Sequence, residues 1–81
     1  MSYTYILESI RNPGTRYTGH TSNFKRRLEL YNAGETRSTF KHRPWKLKLY
    51  VAFETRRQAR EFERYLKSGS GHAFANRHFW G

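Results

Sequence analysis

The run from Trp45 to Phe53 alternates so regularly that it leaves this chain few folds to choose from. Trp45, Leu47, Leu49, Val51 and Phe53 fall on one face, and Lys46, Lys48, Tyr50 and Ala52 on the other, which is the period of a half-buried strand. A strand needs partners, and the start of the chain offers them. Tyr3 to Glu8 alternates in the same way, and Asn12-Pro13-Gly14 is a strong turn signal before a second short run from Arg16 to His20, so the two runs read as a β-hairpin.

Helical patterns fill the rest. Ser22 or Asn23 can cap a helix that runs to about Asn32, with Gly34 as its stop and Phe24, Leu28 and Tyr31 as its apolar stripe. Glu35 to Pro44 is polar and basic and reads as a loop. Thr55 to Gln58 fits a capping box for a second helix to about Lys67, whose stripe is Ala59, Phe62 and Leu66. Ser68-Gly69-Ser70-Gly71 ends it, and His72 to Phe79 forms a short third helix. The order β-β-α-β-α-α predicts an α+β fold: a small three-stranded, mainly antiparallel sheet, with the two longer helices on the same face.

With 81 residues there is room for one domain, 1–81, and such a chain buries only about 60–65% of the surface its unfolded form exposes. Cysteine is absent, so neither disulfides nor thiolate metal sites can staple it. The formal net charge is +10, spread through every element, and fourteen Phe, Tyr and Trp residues accompany it. A basic, aromatic-rich folded domain favours a polyanionic partner, with nucleic acid first, because phosphate neutralisation and base stacking can act together. A membrane partner is not expected, since no apolar run approaches spanning length and no segment joins a basic face to a broad apolar one. The start of the chain lacks the charged and apolar stretches of a signal peptide, and the expected location is the cytosol, on the nucleoid.

Two charges break the patterns. Glu63 falls on the apolar stripe of the second long helix and Arg27 on that of the first. A carboxylate aimed at a core is costly unless an ion, a cation or a polar network holds it. One reading pairs Glu63 with Arg60 or Lys67 at helical spacing, and another pairs it directly with Arg27. A functional reading separates the two charges across a phosphate, with Arg27 bonding its oxygens and Glu63 holding a hard cation. A lone carboxylate suits Mg²⁺ or Mn²⁺, which keep several waters and take other ligands from phosphate. There is no Asp, which argues against a site built on several carboxylates and two metals. His42, His72 and His78 lack the spacing of a zinc site.

The segments Tyr3-Thr4-Tyr5-Ile6-Leu7 and Tyr17-Thr18-Gly19-His20-Thr21, followed by the Arg27 helix, the Arg-Pro-Trp lead-in at 43–45 and the glutamate of the second long helix, resemble the GIY-YIG nuclease superfamily. The likeness is greatest to its small stand-alone bacterial members and to the N-terminal module of the excision-repair incision subunit, and it covers nearly the whole chain. The first motif keeps only its final Tyr, and the second has Thr at a usual aliphatic position.

The resemblance implies hydrolysis of phosphodiester bonds in nucleic acid, DNA more than RNA, with one divalent cation on Glu63. It implies Tyr17 as general base, Arg27 as stabiliser of charge on the phosphate, and Tyr5 as a positioner of water or phosphate. His20 stands where relatives carry Lys or His, and Tyr31 where they carry Tyr or His; Asn76 is a further polar candidate. Charge and proximity to that site suggest a substrate groove lined by Arg16, Lys25, Arg26, Arg37, Lys41, Arg43 and Lys46. Specificity in such proteins often depends on added domains, so structure-selective cleavage or a directing partner protein is expected. The alternative is a non-catalytic nucleic-acid-binding module on the same fold.

Overall fold

A computed structural model describes residues 1–34 and 37–80, without the side chains at 37 and 38. Glu35 and Thr36, at the start of the stretch read as a loop, and the side chain of Arg37 lie outside that description. Strands β1 (Ser2–Ser9), β2 (Arg16–Thr21) and β3 (Trp45–Phe53) form an antiparallel sheet in the order β2-β1-β3. Helix α1 (Phe24–Asn32) follows the hairpin, and α3 (Arg56–Leu66) and α4 (Gly69–Ala75) follow β3. A single π-helical turn, Asn76–Trp80, completes the described chain. One further helical turn, α2 (Arg37–Phe40), lies within the stretch expected to be a loop. It is fastened by the Trp45 indole, whose Nε1 donates to the Thr39 carbonyl at 3.0 Å.

Local chemistry sets the helix ends. The Asn23 side chain accepts from the Arg26 amide at 3.1 Å and opens α1. Thr55 and Gln58 form the expected reciprocal capping box of α3. The Ser68-to-Gly71 segment both stops α3 and starts α4, because Ser68 Oγ accepts from the Gly71 amide at 3.1 Å. The third helix therefore begins three residues before the expected His72.

The helices cover opposite faces of the sheet, which corrects the expectation that α1 and α3 share one. Tyr5, Leu7 and Trp45 meet Tyr31, Leu28 and Phe24 of α1 on the first face. On the second, Thr4 Oγ1 donates to the Ala59 carbonyl of α3 at 2.7 Å, and Phe53 packs against Phe62. The reason lies in β3. Leu47 pairs with Leu7 but Leu49 with Ile6, so Lys48 is an extra residue opposite β1. The bulge sends Trp45 and Leu47 to the α1 face, and Leu49, Val51 and Phe53 to the α3 face. Ile6 and Leu7, neighbours pointing opposite ways, are both fully buried and each contributes about 1.5–3 kcal/mol.

Helix α4 crosses the end of α3 at backbone contact. A Cβ built on Gly71 would lie 1.8 Å from the Tyr65 carbonyl oxygen and 2.5 Å from Leu66 Cα. Ala in place of Gly normally favours a helix interior by about 1 kcal/mol. Here Gly71→Ala is expected to destabilise by about 1–3 kcal/mol, read as a lower thermal midpoint, because rigid backbone must move.

Candidate active site at the outer edge of the second strand

Strand β2 forms one edge of the sheet, so side chains from both faces can meet around it. Tyr5 reaches this edge from β1. Its backbone partner is Gly19, and a Cβ there would fall 2.5 Å from the Tyr5 hydroxyl and 2.7 Å from its ring. The bare glycine lets the Tyr5 ring lie across β2. Gly19→Ala should displace the ring and lower both thermal stability and any turnover at this edge; unchanged turnover in a folded variant would detach Tyr5 from the chemistry.

Three phenols gather on the α1 side. The hydroxyls of Tyr5 and Tyr31 are 3.2 Å apart and hydrogen-bonded, and the rings of Tyr17 and Tyr31 meet edge to face at 5.1 Å. Burial is the main cause that raises Tyr5 above the ordinary tyrosine range, against the opposing Tyr31 hydrogen bond and the Arg27 charge. Burial, reinforced by the neighbouring Tyr5 and Tyr17 hydroxyls, pushes Tyr31 far higher. Both therefore stay protonated at neutral pH. Tyr17 is 37% exposed, against 1% for Tyr5 and 5% for Tyr31, so it is the phenol that water can reach.

The acidic side comes from α3. Glu63 is mostly covered, and His20 of β2 and Lys67, one turn along the helix, hold its two carboxylate oxygens. The Lys67 bond is 2.7 Å, which realises the ion-pair reading of Glu63 at helical spacing. Burial works to raise the Glu63 pKa, but the hydrogen bonds and charges of Lys67 and His20 outweigh it and hold the carboxylate below its usual range. Lys67 Nζ also stands 5.9 Å from the centre of the Tyr17 ring and so links the two sides of the edge.

Arg27 departs from expectation. It is exposed rather than turned into the α1 core, and no ion pair joins it to Glu63 among the described residues. Its place is nonetheless at the site, because it lines a hollow of about 230 Å³ with His20, Thr21 and Ser22. A second hollow of about 290 Å³ holds His20 and Glu63 together with Arg60, Arg64 and Lys67. His20 is common to both. The structure thus brings Tyr5, Tyr17, His20, Arg27, Tyr31 and Glu63 around one strand edge.

The proposed basic groove divides. Lys25 and Arg26 are exposed on α1, and Arg26 shares a hollow with Arg27. Arg16 and Lys46 instead turn to Glu8, at 3.3 and 3.9 Å, on the α3 face. Arg43 stacks on Phe40 with its guanidinium carbon 4.0 Å from the ring centre, and Lys41 is exposed beside it. The Lys and Arg side chains that share a hollow with Glu63 are Arg60, Arg64 and Lys67, absent from the expected groove. Their spacing from Glu63 along α3 was the available signal.

The donor set suits a cation that keeps most of its own water. Glu63 offers one carboxylate facing an open hollow, and among the described residues no three His, Cys, Asp or Glu side chains gather. Mg²⁺ or Mn²⁺ fits such a site, with Lys67, whose side chain is 53% exposed, free to swing off the oxygen.

A phenol cluster, an arginine and a single carboxylate thus meet on the basic edge of a small α+β domain. The chain matches the family model of the GIY-YIG catalytic domain over residues 1–76, and it belongs to that family. It is 37% identical over 67 residues to a UPF0213 protein of Streptococcus agalactiae, covering 82% of this chain and 74% of the relative. A UPF0213 protein of Streptococcus pyogenes is 34% identical over 67 residues, 82% of this chain and 71% of that protein. A structure-specific endonuclease subunit SLX1 homolog of Giardia intestinalis is 37% identical over 65 residues, which are 75% of this chain and 18% of the Giardia protein.

Proposed function

We propose that this chain is a metal-dependent endonuclease that hydrolyses phosphodiester bonds in nucleic acid, DNA more than RNA, in the cytosol or on the nucleoid. The observation that carries the reading is the meeting of an exposed phenol, Tyr17, with Glu63, His20 and Arg27 around one strand edge in a chain of this family. Glu63 is the residue to hold Mg²⁺ or Mn²⁺, which when bound supplies positive charge to the phosphate oxygens. Tyr17, the phenol that water can reach, passes its own proton to solvent and takes the proton of the attacking water at its oxygen, a role from which burial bars Tyr5 and Tyr31. Those two orient water or phosphate through their hydroxyl groups. Arg27 faces the incoming phosphate from the open side and stabilises the charge that builds there. His20, beside the carboxylate, is placed to relay a proton towards the leaving oxygen.

A non-catalytic binding module draws support from one observation, the capture of both Glu63 oxygens by His20 and Lys67. Cleavage assays separate the two. Labelled single-stranded, duplex and branched DNA and RNA are incubated with Mg²⁺, Mn²⁺ or chelator, beside a folded Glu63→Gln control. Metal-dependent cutting lost in the control is expected; binding without cutting on every substrate would assign the module instead. Selectivity among these substrates is expected to rest on strand structure or on a directing partner protein rather than on long sequence readout.

A further inference from the structure

The α3 face carries another hollow, of about 340 Å³, that the reaction above does not use. Arg16 and Thr18 of β2, Leu66 of α3, His72, Asn76 and Trp80 line it. Leu66 lies three residues beyond Glu63 on α3, so the hollow begins about one helical turn from the candidate metal ligand.

Its chemistry is built rather than incidental. The Arg16 guanidinium carbon stands 3.9 Å above the centre of the Trp80 ring, and its Nε is 3.3 Å from Glu8 Oε2. Glu8 is itself buried and held by Lys48 at 3.5 Å and by the Gly14 amide at 3.3 Å. A fixed carboxylate thus braces the guanidinium from behind, while the indole sets its plane. A planar cation stacked on an aromatic ring presents what a nucleotide needs, hydrogen-bond donors for phosphate and flat surfaces for a base. Thr18 and Asn76 add neutral polar groups. The volume is that of a small-ligand pocket and far too small for a duplex.

Position supplies the register. His20, Thr18 and Arg16 are alternate residues of β2 and share the α3 face, with about 6.7 Å between successive members. A strand whose scissile phosphate lies at His20 and Glu63 and which follows β2 reaches Arg16 after about 13 Å, roughly two extended nucleotides.

Resting on the endonuclease reading, we propose that this hollow seats one unpaired nucleotide of the substrate strand about two positions from the cut, with Arg16 on its phosphate and the Arg16–Trp80 stack against its base. The enzyme then requires single-stranded character beside the scissile bond.

The test uses the wild-type protein and a single-stranded DNA in which each base around the cleavage site is replaced in turn by an abasic unit. Cutting efficiency should fall about 5- to 100-fold at one or two adjacent positions near the second nucleotide from the cut, the range of base–aromatic stacking. Trp80→Ala should erase that position dependence. With chelator present, the same DNA should quench tryptophan fluorescence, which reports Trp80 because Trp45 is buried. Cutting with a flat abasic profile would overturn this proposal alone. Absence of both cutting and binding on every strand would overturn the endonuclease reading and this subsite with it.

Discussion

Glu63→Gln should eliminate metal-dependent cleavage, by at least about 10³-fold, while the protein keeps its fold and its affinity for nucleic acid. The amide retains the shape of the side chain but removes the charge a divalent cation requires. Little stability is at stake, because the main charged partner, Lys67, is an exposed residue one turn along the same helix, and such pairs are worth well under about 1 kcal/mol. The carboxylate is held by partners, so its removal should not relieve strain. A pH series adds an independent check. The folded pKa of Glu63 is depressed, so its contribution to stability is present above the unfolded value, about 4.3, and is lost as pH falls through the folded one. The thermal midpoint of the wild type should therefore drop more steeply than that of the variant below about pH 4. Equal loss of folding and cleavage in Glu63→Gln would make the residue structural.

The sites of agreement and failure between sequence and structure have definite causes. The hairpin, the capping box and the stripe of α3 are local patterns, and each is found where the residues place it. The bulge at Lys48 left no trace in the alternation of β3, because both faces of the sheet are covered and the apolar residues stay the less exposed ones on either side of it. With that bulge went the assignment of helices to faces. Arg27 misled for a related reason: a position on the edge of a helical stripe can turn either to the core or along the sheet margin, and only the packing of Leu28 and Tyr31 decides. Gly19 was legible only as part of a motif. Its physical purpose, room for the Tyr5 ring, depends on the pairing of β1 with β2.

The exposure of Arg27 sharpens the second large expected effect. A buried arginine would mix stability with catalysis on truncation, whereas an exposed one on α1 can be removed with a stability change within about 0.5 kcal/mol. Arg27→Ala should accordingly lower turnover about 10²- to 10³-fold, the range for deleting a donor aimed at developing charge, and leave substrate affinity nearly unchanged. Lys25 and Arg26 give the contrast. They are exposed on the same helix, and their replacement should weaken binding and flatten its salt dependence without a matching loss in turnover. Single-turnover rates at one salt concentration and equilibrium binding across a salt series, measured on the three variants, separate the outcomes. If Arg27→Ala loses affinity and rate in equal proportion, Arg27 is a phosphate anchor like its neighbours. The charge at the transition state would then fall to the cation held by Glu63 and to Lys67, the other positive group standing between Glu63 and the Tyr17 ring.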